Sequence, residues 1–188
     1  MDGKQRIAEQ SRLWLVDAFF ELLHEQNYDA ITITAIVDRA QLSRRTFYRS
    51  FSSKNALLNY YGQLLFKDYL SQLQSMNPYT YKKVLVIFFE FWWSKKERLC
   101  LLIDQGLFYA LLYSASKNSE KIYSLFKAPW HIVGNEYETK SIMRFVTGGF
   151  WNVLYYWATD DEPKTPEQMA EIIIKGITSL SKGISAEQ

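Results

Sequence analysis

The chain has 188 residues, 48% of them hydrophobic and 22% charged, with four prolines and eight glycines, so it can bury a substantial core and is not a disordered or low-complexity sequence. A net charge of +2 is too small to imply nucleic acid by itself, which leaves any basic site to local arrangement. A single cysteine, Cys100, excludes an internal disulfide, and no His/Cys cluster has the spacing of a metal site. Met1 to Arg12 is polar rather than an apolar signal core, and the most apolar run, Val84 to Trp93, is about half a membrane span and carries Glu90. The expectation is a cytoplasmic, metal-free protein without cofactor and without membrane association.

In chain order, Ile7, Leu15, Ala18, Phe19, Leu22 and Leu23 keep helical spacing and predict an amphipathic first helix ending near Gln26-Asn27. Ile33, Ile36, Val37 and Ala40 repeat at i, i+3, i+4 and i+7 and predict a short second helix capped by Thr32. Ser43 caps a third, with Leu42 and Phe47 at the spacing of a hydrophobic staple and with Phe47 and Phe51 turned to the core. Ser52 or Ser53 caps a fourth helix from Lys54 to about Leu73, and Asn77-Pro78 stops it.

The remainder reads as helical. Segments near Tyr79 to Ser94, Lys96 to Ser114 and Glu120 to Phe126 are apolar and aromatic without period-two alternation. Two later helices are clearer, Thr139 to about Trp157 and Pro166 to about Lys182. The second opens with Thr165-Pro166-Glu167-Gln168, a cap, a proline at the first helical position and a capping-box glutamine.

Between Asp38 and Asp68 there is no acidic residue, while Arg39, Arg44, Arg45, Arg49, Lys54 and Lys67 fall in or at the edge of that window. On charge alone such a run is equally a solvated face. Its placement is more specific. Arg45, Tyr48 and Arg49 lie on one side of the third helix, opposite Phe47 and Phe51, and two short helices joined by a tight turn with a basic outer face describe a helix-turn-helix reader. An arginine fork bonds the O6 and N7 edge of guanine, Thr46 suits a thymine methyl or a phosphate, and Tyr48 and Lys54 suit phosphates.

The stretch from Thr32 to Leu58 resembles the N-terminal signature of the TetR/AcrR regulators: a threonine-led helix, a turn, Ser-x-x-Thr-aromatic-Tyr-x-x-Phe, and a Ser-Lys step into the fourth helix. The resemblance covers about Ile7 to Leu58. It implies an all-α protein, with a three-helix helix-turn-helix DNA-binding domain at residues 1–58, whose fourth helix continues to about 74 as a connector. A larger helical dimerisation and ligand-sensing domain would follow at 59–188. It also implies DNA contacts from Thr34, Ser43, Arg44, Arg45, Thr46, Tyr48, Arg49 and Lys54. Two positions depart from the family pattern: Gln41 stands where the turn usually has glycine, and Arg45 where glycine is common, which predicts an altered base preference.

The resemblance further implies a homodimer formed by the last two helices, so that two reading heads match a palindromic double-stranded operator. The candidate interface is Gly148, Gly149 and Trp151 with Met169, Ile172, Ile173, Gly176, Ile177 and Leu180; the alternative is packing within one subunit. An aromatic-lined effector site is expected around Glu90, Trp93, Asp104, Phe108, Trp130 and His131, although aromatics at helical spacing are more often core. The expected function is a sequence-specific regulator, of the repressor kind, modulated by a small apolar or aromatic molecule. The alternative is a helical small-molecule carrier or protein-interaction module without DNA binding. With two histidines, one cysteine and no phosphate-binding glycine loop, the chain is not expected to be an enzyme.

Overall fold

The computed structural model describes residues 3–76, 80–116 and 134–186, and all regular structure among them is helical. The helices are α1 (Gly3–Glu25), α2 (Ile33–Arg39), α3 (Arg44–Ser50), α4 (Lys54–Met76), α5 (Tyr81–Trp93), α6 (Lys96–Asp104), α7 (Phe108–Ser116), α8 (Glu136–Ala158) and α9 (Pro166–Ala186), with a 3-10 turn at Tyr28–Ala30. Glu120 to Phe126, Asn77-Pro78, Trp130 and His131 lie outside the described residues. The chain forms two compact units, one of Met1–Leu65 with Leu101–Ser114, the other of Phe66–Cys100 with Ala115–Gln188.

In the first unit α1, α2 and α3 pack against one another. Leu15, Phe19 and Leu23 of α1 meet a core that also holds Ile36, Phe47 and Leu57, all essentially without solvent exposure. The caps anticipated from sequence are present: Thr32 Oγ1 accepts from the Ala35 amide at 3.0 Å, Ser43 Oγ from Thr46 at 3.1 Å, and Ser53 Oγ, rather than Ser52, from Ala56 at 3.1 Å. These bonds satisfy amides that a helix start leaves without partners, which matters most for α2 and α3 at seven residues each.

Two helices end by the same device. After α2 the Leu42 amide bonds Val37 O (2.8 Å) and Gln41 bonds Asp38 O (3.1 Å), with Gln41 at φ 53. After α6 the Leu107 amide bonds Leu102 O (2.8 Å) and Gly106 bonds Ile103 O (3.0 Å), with Gly106 at φ 68. This is the Schellman arrangement, which requires a left-handed residue. The single helix expected over Lys96 to Ser114 is therefore two, broken at Gly106.

In the second unit α5 packs on α9 and buries Leu85, Ile87, Phe89, Phe91 and Trp92. Phe89 stands edge-on to Trp157 (5.2 Å between centroids) and Trp92 to Trp151 (5.2 Å), while the Trp157 indole N–H donates to Lys164 O at 2.7 Å. The α8 helix starts earlier than expected, at Glu136, behind a capping box between Asn135 and Glu138. The Thr165–Gln168 capping box of α9 forms as read, with bonds of 3.3 and 2.9 Å.

Candidate nucleic-acid interface

The α3 helix has a sharply divided surface. Phe47 is fully buried, edge-on to Phe51 at 5.7 Å, and it anchors the short helix to the core. On the other side Arg44, Arg45, Tyr48 and Arg49 are exposed. Among the described residues the three arginines make no ion pair, so their forks are available to an external acceptor. Thr34, at the start of α2, is also exposed.

The rest of the basic window is sorted by its partners. Arg39 is held by α1: its guanidinium meets Glu25 at 2.7 Å and Glu21 at 3.3 Å, and it therefore does not belong to the arginine face. Its hydrogen bond lowers the Glu25 carboxyl pKa from the ordinary value, and the same bond raises that of the guanidinium. The Thr46 and Ser43 hydroxyls pair with each other at 3.0 Å, which ties the Thr46 side chain to the cap of α3.

Lys54, expected at a phosphate, opens α4 half-buried. Its Nζ donates to the carbonyl of Tyr28 at 2.8 Å and lies 4.4 Å from the centre of the Tyr28 ring. Tyr28 is itself edge-on to Phe19, and its hydroxyl donates to Asn55 Oδ1. Sequence reasoning did not single out Tyr28. The signal available was only an aromatic residue beside a turn, which fits a core position as well.

The other candidate residues fall as follows. Glu90 is half-buried and Trp93 exposed in the second unit, where Trp93 stacks tilted on Trp157 at 5.3 Å and Lys96 Nζ lies 5.0 Å from its ring centre. Asp104, exposed, and Phe108, buried, belong to the first unit. Of the candidate interface, Trp151 and Met169 are buried within their own unit. Ile172, Ile177 and Leu180 are 52%, 46% and 68% exposed; Gly149 and Gly176 are exposed, and Gly148 and Ile173 half-buried. A side chain added at Gly148, Gly149 or Gly176 would meet nothing within 4 Å.

Two short capped helices at a tight turn, with a buried aromatic anchor on one side of the second and an unpaired arginine face on the other, define a helix-turn-helix DNA-binding unit. Residues 15–61, which span these helices, match the family model of bacterial regulatory proteins of the tetR family. No protein with a curated description matches the chain. Among solved structures it resembles a TetR transcriptional regulator from Streptococcus agalactiae 2603V, at 19% identity and TM-score 0.65 over 93% of this chain and 97% of that one. It also resembles the dihydroxyacetone kinase operon activator DhaS (17%, TM-score 0.57, 92% and 96% covered). A third is the TetR family repressor AlkX from Dietzia sp. strain DQ12-45-1b, implicated in biodegradation of n-alkanes (19%, TM-score 0.57, 92% and 96%). The whole chain thus has the fold of TetR-family regulators. Among the described residues no helix is long and apolar enough to cross a membrane.

Proposed function

We propose that the chain is a sequence-specific transcriptional repressor that binds a palindromic operator as a homodimer and releases it when a small apolar or aromatic molecule binds. The observation that carries the DNA-reading part is the exposed Arg45–Tyr48–Arg49 face of α3, free of carboxylates and backed by the fully buried Phe47. In this reading Arg44, Arg45, Thr46 and Arg49 face the groove, with Arg45 and Arg49 at base edges, Tyr48 and Lys54 meet phosphates, and Thr34 and Ser43 lie at the backbone. Dimerisation is supported by the bare apolar stripe of α9, and effector binding by the aromatic set of α5 around half-buried Glu90. The fold serves both an activator and a repressor among its neighbours, so the sign is a separate question.

The test is fluorescence anisotropy of the full chain against duplexes from the region upstream of its own coding sequence, at several salt concentrations, beside an Arg45→Ala/Arg49→Ala variant. One fragment should bind tightly with a steep salt slope, and the variant should lose roughly 2–6 kcal/mol at about 1–3 per guanine contact. Equal, weak binding of wild type and variant to every fragment would sink the assignment and favour a carrier or interaction module. A reporter placed behind the bound fragment decides the sign: repression requires lower expression when the protein is present.

A further inference from the structure

Gln105 is the last residue before the left-handed Gly106 that closes α6, and its amide bonds the Leu101 carbonyl at 3.1 Å. Its side chain reaches the far end of α1. Oε1 accepts the Tyr28 amide at 2.9 Å, and Nε2 donates to the Leu23 carbonyl at 3.4 Å. Leu23 belongs to the last turn of α1, whose carbonyls have no helical partner, and Tyr28 opens the 3-10 turn that follows. One primary amide therefore spans the α1-to-turn connection by using both its acceptor and its donor.

The same turn holds Lys54. The Tyr28 N–H is taken by Gln105, its carbonyl by Lys54 Nζ and by the Ile31 amide that closes the 3-10 turn (3.2 Å), its ring face by the same ammonium and its hydroxyl by Asn55. Tyr28 is thus a hub with Gln105 on one side and the first turn of α4 on the other. An ammonium carries three donors; the Tyr28 carbonyl uses one and the Tyr28 ring face lies against the group, which leaves a donor for an anion at the N-terminus of α4.

We propose that Gln105 is a positioning residue for DNA binding: by clamping the turn at Tyr28 it holds the Lys54 ammonium, in advance of contact, where a backbone phosphate meets it. The inference rests on the DNA-binding reading above for its purpose, but the clamp itself is testable without DNA. Holding a long, flexible lysine in place before binding removes an ordering cost that the complex would otherwise carry. The residue lies 77 positions from Tyr28, so a segment distant in the chain takes part in setting the reading head.

Full-length wild type, Gln105→Met (similar in size, without either bond), Gln105→Glu (keeping the acceptor for Tyr28 and losing the donor), Lys54→Met and Gln105→Met/Lys54→Met are compared, with thermal melts establishing that each is folded. In the DNA-free proteins, amine-reactive labelling read by mass spectrometry should show Lys54 reacting about fivefold or more faster in Gln105→Met, Lys67 serving as control, with Gln105→Glu nearer wild type. On the operator duplex, Gln105→Met and Lys54→Met should each weaken binding by about tenfold, and the double variant should be no weaker than Lys54→Met alone. Lys54→Met should also lower the salt slope by about 1.

Unchanged Lys54 labelling overturns the clamp. Losses that multiply in the double variant show that Gln105 does not act through Lys54, and tighter binding by Gln105→Met would mean that Tyr28 withholds the ammonium instead. If wild type binds no duplex, the regulator reading falls, while the labelling result still decides whether Gln105 holds Lys54.

Discussion

Gln41 is the one described non-glycine residue at positive φ, and its backbone closes α2 against α3. An L side chain in the left-handed region costs on the order of 1–2 kcal/mol, part of which glycine returns through its freer unfolded chain. Gln41→Gly should therefore stabilise the protein by about 0.5–1 kcal/mol, read as a higher midpoint in thermal denaturation; a lower midpoint would mean that the Gln41 side chain makes a contact worth more than the strain. A second residue-level expectation concerns Arg39. Its hydrogen bond depresses the folded Glu25 pKa, so the pair contributes above the unfolded carboxylate value and is lost as pH falls through the folded one. An NMR titration of the Glu25 carboxyl should give a midpoint below the ordinary range and return to it in Arg39→Gln. An unchanged midpoint in that variant would assign the depression to another cause.

At the scale of helices, the break between α6 and α7 shows what periodicity hides. From Lys96 to Ser114 the apolar residues continue at helical spacing, and the interruption is carried by Gly106 alone, whose left-handed backbone lets two amides turn back onto Leu102 and Ile103. No atom lies within 4 Å of a Cβ built there, so Gly106→Ala should cost only the backbone strain, about 1 kcal/mol, measurable by chemical denaturation. A loss several times larger would mean that the variant displaces Gln105 and its clamp as well. The caps of α2, α3 and α9 were legible because each places Thr or Ser at a local, sequence-adjacent offset from the amide it serves. The Gln105–Tyr28 bond was not, because a glutamine reaching across 77 residues has no local signature. The arginine face of α3 lay between these cases: helical spacing put Arg45 and Arg49 on one side, whereas the diversion of Arg39 to α1 depends on Glu21 and Glu25 being brought to it by packing.

For the molecule as a whole, α9 is the element least explained by a single chain. The sequence showed a stripe of Met169, Ile172, Ile173, Gly176, Ile177 and Leu180 without showing what covers it, and the structure, in which the helix runs on to Ala186, extends the same face to Ile184. The structure covers only its beginning. Met169 and Ala170 are buried in the unit that contains α5, but from Lys175 to Ala186 every residue of α9 is exposed, including Leu180 at 68% and Ile184 at 62%. A bare helical stretch of this length is marginal in water, and its stripe is of the kind that a second copy can cover. In a two-fold interface each substitution occurs twice, and a charge placed at the apolar centre must lose its hydration in both copies. Ile177→Arg/Leu180→Arg should accordingly halve the mass measured by light scattering. The melting profile of the first unit should be preserved, since both residues are solvent-exposed in the chain itself. Operator affinity should fall by more than tenfold, because a dimer joins two half-sites on one duplex and a monomer holds only one. A variant that keeps the wild-type mass and affinity would place the dimer contact elsewhere. One that becomes monomeric yet binds as tightly as before would remove the palindromic operator from the proposal while leaving the arginine face of α3 in place.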